Sequence, residues 1–132
     1  MTKRELVINM LEFMGYKPKV DNDGDVMFRF QLKTLYVLGT QEEESNYLLV
    51  MLPQLYEMDD GEEIKTLTVC NKLTRDIKLA KVYVDSTFKN VSASCEFYYC
   101  NSDDCLQSQF EYSLNILSQI RSAFFAEIRD IE

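Results

Sequence analysis

Apolar and polar positions alternate over two stretches in the second half of the chain. Ala80, Val82 and Val84 interleave with Lys81, Tyr83 and Asp85. Val91, Ala93, Cys95, Phe97 and Tyr99 interleave with Ser92, Ser94, Glu96 and Tyr98. Period two is that of a strand with one apolar and one mixed face. The spacing predicts an antiparallel hairpin over Leu79–Tyr99, with its turn at Ser86–Asn90. The apolar face needs a cover, and amphipathic helices before and after it can supply one.

Helical spacing marks three segments. Over Thr2–Met14, Leu6, Met10 and Phe13 join Val7, Leu11 and Met14 in one broad apolar face. Thr2 and Glu5 stand at capping-box spacing, Gly15 suits a left-handed stop, and Pro18 prevents continuation. A second helix is predicted from about Gly61 to Thr74, with Asp60 as N-cap, Glu63 at N3, Ile64, Leu67 and Asn71 on one side, and Cys70 and Leu73 adjacent. A third begins near Asp104, with Gln107 at capping-box spacing. Leu106, Phe110, Leu114, Leu117, Ile120, Phe124 and Ile128 form its stripe.

Between the first two helices the pattern returns to strands. Lys17–Asp21 is a short candidate. Asn22-Asp23-Gly24 makes a tight turn, because Asp-Gly tolerates positive φ. Val26, Phe28 and Phe30 alternate with Met27, Arg29 and Gln31. A turn at Leu32-Lys33 leads to a strand over Leu35–Leu38, then to an acidic loop over Gly39–Asn46. Tyr47–Leu52 is apolar on both faces, which points to a central strand or an interface. Pro53 limits pairing there, and Gln54–Met58 fits either strand or helix. The expected architecture is a single α+β domain over residues 1–132. It has an antiparallel sheet of about five strands, helices on one side, and the order α-β-β-β-(β)-α-β-β-α.

Composition narrows the function classes. The chain has 132 residues, an apolar share of 46 %, eight Phe, eight Tyr and no Trp, which suits one globular core. Its net charge of −8 repels phosphate backbones and anionic lipid surfaces. No nucleic-acid or membrane partner is therefore expected. No apolar run approaches the roughly 18 residues of a membrane span, and the start does not read as a signal peptide. The cytoplasm is the expected compartment, with the four cysteines as reduced thiols.

With these residues on the page, the chain resembles the YbjN-like family, a group of candidate bacterial sensory transduction regulators with the fold of type III secretion chaperones. The similar elements are the Asp23-Gly24-Asp25 turn into Val26-Met27-Phe28-Arg29-Phe30, Asn71 in mid-chain, Lys78 before a strand, and the Val84-Asp85 strand end. The order of elements matches over nearly the whole chain. The resemblance implies a small cytosolic domain, often a homodimer, with a binding or regulatory role and no known chemistry.

Candidate chemistry is sparse. Asp21, Asp23 and Asp25 alternate, but an EF-hand loop from Asp21 has Val26 where glycine is needed and Leu32 where the bidentate Glu belongs. Cys95, Cys100 and Cys105 lack the paired spacing of a zinc site, and the chain has no histidine. Cys95 reads as a buried hydrophobe, while Cys100 and Cys105 flank a turn and can approach one another. Without histidine the commonest general base is missing, and no glycine-rich phosphate loop exists. No catalytic residue, metal or cofactor is assigned, and the chain is not expected to be an enzyme.

Asp23, Gly24 and Asn71 read as structural, the Asn71 amide bonding a neighbouring backbone. The mixed strand faces place Tyr36, Leu38, Tyr47, Leu49, Met51, Tyr83 and Tyr98 opposite the helices. Tyr, Met and Leu together suit a partner surface. The expected function is a chaperone-like or regulatory module, homodimeric, that binds a protein segment through sheet or helix surface. The alternative is a small-molecule-responsive domain with a pocket between the sheet and the last helix.

Overall fold

The structure, a computed structural model, describes residues 1–100 and 102–131. The elements in order are α1 (Lys3–Phe13), β1 (Lys19–Val20), β2 (Val26–Phe30), β3 (Lys33–Leu38), β4 (Tyr47–Glu57), α2 (Glu63–Asp76), β5 (Ala80–Val84), β6 (Asn90–Tyr98) and α3 (Asp103–Asp130). The strands form one open sheet of six, in the order β1-β2-β3-β4-β6-β5. This is the expected α+β order, with the short Lys19–Val20 segment as the sixth strand. Tyr47–Leu52 does lie in a central strand, since β4 stands between β3 and β6. No helix among the described residues is long and apolar enough to cross a membrane.

The chain packs as two compact units, Met1–Met51 with Glu96–Ser113, and Leu52–Cys95 with Leu114–Glu132. In the first unit, Val26 and Phe28 of β2, Leu35 and Val37 of β3, and Leu48 and Val50 of β4 are buried. The register sets Val26 opposite Val37, and Val37 opposite Val50, so these side chains share one face. The cover comes from α1, which packs on β2 and buries Val7, Met10 and Leu11, and from α3, which buries Leu106 and Phe110. Phe110 meets Phe97 edge-to-face, with centroids 5.8 Å apart.

Both ends of α1 form as the sequence predicts. Thr2 Oγ1 accepts from the Glu5 N–H at 3.1 Å, and the Glu5 carboxylate accepts from the Thr2 N–H at 3.4 Å. At the other end, Tyr16 N–H reaches Leu11 O and Gly15 N–H reaches Glu12 O, a Schellman pair with Gly15 at φ 97°. An added Cβ on Gly15 would meet nothing within 4 Å, so only the backbone opposes substitution. Gly15→Ala should therefore cost about 1–2 kcal/mol in urea unfolding, the penalty of a left-handed non-glycine residue.

The Asp21–Asp25 segment is the expected turn, but Asp21 rather than Asp23 holds it. Asp21 Oδ1 accepts from the N–H groups of Asp23 and Asp25, each at 2.9 Å. Gly24 stands at φ 86°, so its conformation favours glycine; the nearest atoms to an added Cβ belong to the movable end of the exposed Gln41 side chain. The next turn falls at Gln31-Leu32, one residue earlier than predicted, with both residues at positive φ.

In the second unit, α2 buries Thr66, Val69, Cys70 and Leu73, and packs on β5. The expected face is rotated: Cys70 and Leu73, predicted at its edge, are buried, while Ile64 is 83 % exposed and Leu67 and Asn71 also face out. Asn71, read from sequence as a structural amide, is exposed on this helix. Asp60 is not the N-cap either; Glu62 takes that place without a side-chain cap. Its carboxylate instead accepts from Tyr56 Oη at 2.9 Å and the Asp59 N–H at 2.7 Å. The Asp59 bond leads in holding the Glu62 carboxyl below its ordinary pKa.

β4 continues through Gln54 to Glu57 despite Pro53. Leu48, Val50 and Leu52 are buried, then Leu55, so the alternation slips by one at Gln54, which has φ 54°. A bulge of this kind absorbs a residue that cannot donate to the ladder. At the outer strand β5, Thr74 Oγ1 donates to Val82 O at 3.1 Å and accepts from Val82 N–H at 2.9 Å. The hydroxyl thus occupies the backbone groups that an added strand would use. All seven residues of the predicted α3 stripe are buried, divided between the two units.

Candidate functional site: the uncovered sheet face of the first unit

Opposite parity sends a second set of side chains to the uncovered face of β2, β3 and β4. Tyr36 pairs with Met27 on one side and Met51 on the other, and Leu38 pairs with Leu49. Directly opposed residues on one face have Cβ atoms about 4.5–5.5 Å apart, so these side chains form one patch. All five are half-buried, whereas Leu35 and Val37 on the covered face are 1 % and 0 % exposed. Part of the patch's apolar area therefore remains exposed.

Tyr47 and Tyr98 complete the surface. Their rings lie 6.1 Å apart with planes at 66°, and Tyr98 is 74 % exposed. Tyr47 Oη donates to Glu96 Oε2 at 2.7 Å. Burial, then the hydrogen bond to Glu96 and its charge, push the Tyr47 phenol up to about 12 from an ordinary 10.0. A raised folded pKa means the folded state holds the proton more tightly. Its stabilising contribution is present below pH 10 and lost as pH rises through about 12. Burial also raises Tyr16 and Tyr56, so phenolate absorbance should show several late-titrating tyrosines, and Tyr47→Phe should remove one of them, the phase near pH 12.

Six of the seven residues proposed from sequence therefore come together in the first unit. Tyr83 lies in the second unit, opposite Ser92 on β5–β6, and is half-buried. Ser92 and Ser94, on the same parity as Tyr83 and Lys81, are buried although polar.

Sequence reasoning missed Lys3. It is 3 % exposed, and its ammonium donates to Tyr47 O at 2.6 Å and Glu42 O at 3.3 Å. Its own N–H donates to the Glu43 carboxylate at 3.2 Å. Burial lowers its pKa, opposed by Glu42 and Glu43. This clamp ties the start of α1 to the start of β4, where Tyr47 begins the patch. Nothing local in the sequence signals it, because the acceptors come from residues 42 and 47.

The cysteines divide into two pairs. Cys100 and Cys105 are joined as a disulfide with Cα atoms 6.1 Å apart, so the expectation of four reduced thiols does not describe this structure. Cys70 and Cys95 are free and buried, and burial pushes the Cys70 thiol up to about 11. A thiol so protonated is a poor nucleophile. Ser102 Oγ, not Asp104, caps α3 by accepting from Cys105 N–H at 3.2 Å, and Gln107 instead bonds Glu111 at 2.9 Å. Among the described residues no group of three or more His, Cys, Asp or Glu could hold a metal ion.

Solved structures share this fold. YbjN, a candidate transcription regulator from E. coli, matches at 7 % identity with a TM-score of 0.69, over 89 % of this chain and 87 % of that one. An uncharacterized protein from Methanothermobacter thermautotrophicus matches at 10 % identity and TM-score 0.55, over 92 % and 99 %. The HopA1–SchA chaperone–effector complex matches at 11 % identity and TM-score 0.51, over 96 % and 89 %. The fold expected from sequence, YbjN-like and secretion-chaperone-like, is the fold observed. No protein-family profile matches the chain. No curated protein matches it either.

Proposed function

We propose that the chain is a non-catalytic, chaperone-like or regulatory module. On this reading the face formed by Tyr36, Leu38, Tyr47, Leu49, Met51 and Tyr98 takes a segment of a partner protein that presents apolar side chains. The observation that carries the reading is the contrast between the two faces of one sheet. One buries its side chains beneath α1 and α3, and the other carries six large apolar or aromatic side chains that each keep part of their area exposed. Tyr and Met are enriched in interface cores, and Tyr offers contact area at low entropic cost.

The neighbours in fold support this reading by their kind: a candidate regulator and a chaperone in complex with an effector. A catalytic reading has less support. The chain contains no histidine, and the buried Cys70 is held protonated. We place the protein in the cytoplasm.

The test is affinity capture with wild type and a Tyr36→Lys/Leu49→Lys variant, each checked for native circular dichroism. Two charges on a desolvated patch should reduce capture of a specific partner at least about tenfold. Equal capture by a folded variant would remove the patch from the binding surface.

A further inference from the structure

A second apolar surface lies in the first unit, away from the sheet face. The broad stripe predicted on α1 splits in the structure. Val7 and Leu11 go to the core, while Leu6 is half-buried and Phe13 is 75 % exposed. A cavity of about 460 Å³ lies between this outer side of α1 and the first turns of α3. Leu6, Met10 and Phe13 line one wall, and Asp103, Asp104 and Gln107 line the other. Leu6, Met10 and Phe13 recur at i, i+4 and i+7, a row about 10 Å long at 1.5 Å per residue.

The two walls differ in chemistry. Asp103 and Asp104 are exposed, and neither makes an ion pair among the described residues. No Lys or Arg lines the cavity. Gln107 holds Glu111 at 2.9 Å, which places a further carboxylate one turn along α3. Ser102 caps the first turn of α3, which carries the two aspartates. The helix dipole explains acidic residues at the start of α3. It does not explain an exposed phenylalanine in an apolar row facing them across an open space.

We propose that this groove binds a short amphipathic segment of a partner protein, with two or three apolar side chains flanked by Lys or Arg. The apolar side chains seat along Leu6, Met10 and Phe13, and methionine adapts to varied shapes. The cations face Asp103 and Asp104, and like charge rejects an acidic segment. This goes beyond the function proposed above, since it concerns a different surface and specifies the charge of its occupant.

The test uses three labelled synthetic peptides of equal length, titrated into the full chain by fluorescence anisotropy. One is amphipathic Leu/Lys, one Leu/Glu and one Ser/Lys. The Leu/Lys peptide should bind, and the other two should not. Phe13→Ser and Asp103→Asn/Asp104→Asn should each weaken that binding at least about fivefold, roughly 1 kcal/mol. Asp59→Asn/Asp60→Asn, which removes two exposed charges in the second unit, should change it less than about twofold. Equal losses in the two asparagine pairs would reduce the effect to attraction by net charge and overturn the proposal. Equal binding of the Ser/Lys peptide would overturn it too. The Tyr36→Lys/Leu49→Lys protein should bind the peptide as wild type does. A loss there would move the peptide to the sheet face, so the failure of either proposal is read separately.

Discussion

Phe110→Ala is expected to lower stability by about 3–5 kcal/mol, the range for truncating a buried aromatic in a core that only partly collapses. Phe110 is fully buried and meets Phe97 edge-to-face, where α3 closes over the covered sheet face. Domains of this size are stable by only about 5–15 kcal/mol, so the variant stands near the limit of folding. Urea unfolding followed by circular dichroism measures the change. Tyr112→Ala, on the exposed side of the same helix at 67 % exposure, should stay within about 0.5 kcal/mol. Similar losses at the two positions would mean that the helix does not present the face described.

Lys3→Met is expected to be the next most costly, at about 1–3 kcal/mol. The substitution keeps an unbranched apolar stem but removes the ammonium. Tyr47 O and Glu42 O then lose their donor at the point where α1 is tied to β4. A charge this buried carries its own desolvation cost, so a well-packed apolar replacement of both partners can be neutral. Here the partners are backbone carbonyls and cannot be replaced with it. Unfolding free energies of Lys3→Met and wild type at neutral pH decide the point, and an unchanged or higher value would contradict the clamp.

Where a period repeats many times, the sequence was readable. The α3 stripe runs from Leu106 to Ile128, and a face repeated over that length leaves one choice of buried side. α2 offered two choices. Ile64 and Leu67 compete with Val69, Cys70 and Leu73 for the inside, and only the packing on β5 selects the second set. The capping errors have a related cause. Glu62 stands at the N-cap position in place of Asp60, its carboxylate held by the Asp59 N–H and the Tyr56 hydroxyl, and local spacing does not encode the Tyr56 contact. The uncovered face was readable because alternation assigns every second residue once one face is known. Tyr83 was grouped with it because parity says nothing about which unit a strand end joins. The groove was hidden because a broad apolar helix face does not show which half is buried.

Site-specific photo-crosslinking from position 49 tests the central claim most directly, because Leu49 sits within the uncovered face. With a photoreactive residue there, we expect one discrete adduct in cells, heavier than the chain by the mass of another protein. It should disappear when Tyr36→Lys is added. No adduct at position 49, or the same adducts from a probe at exposed Thr68 on α2, would contradict the account. An adduct of twice the chain mass would make a second copy the occupant and overturn the partner-segment reading.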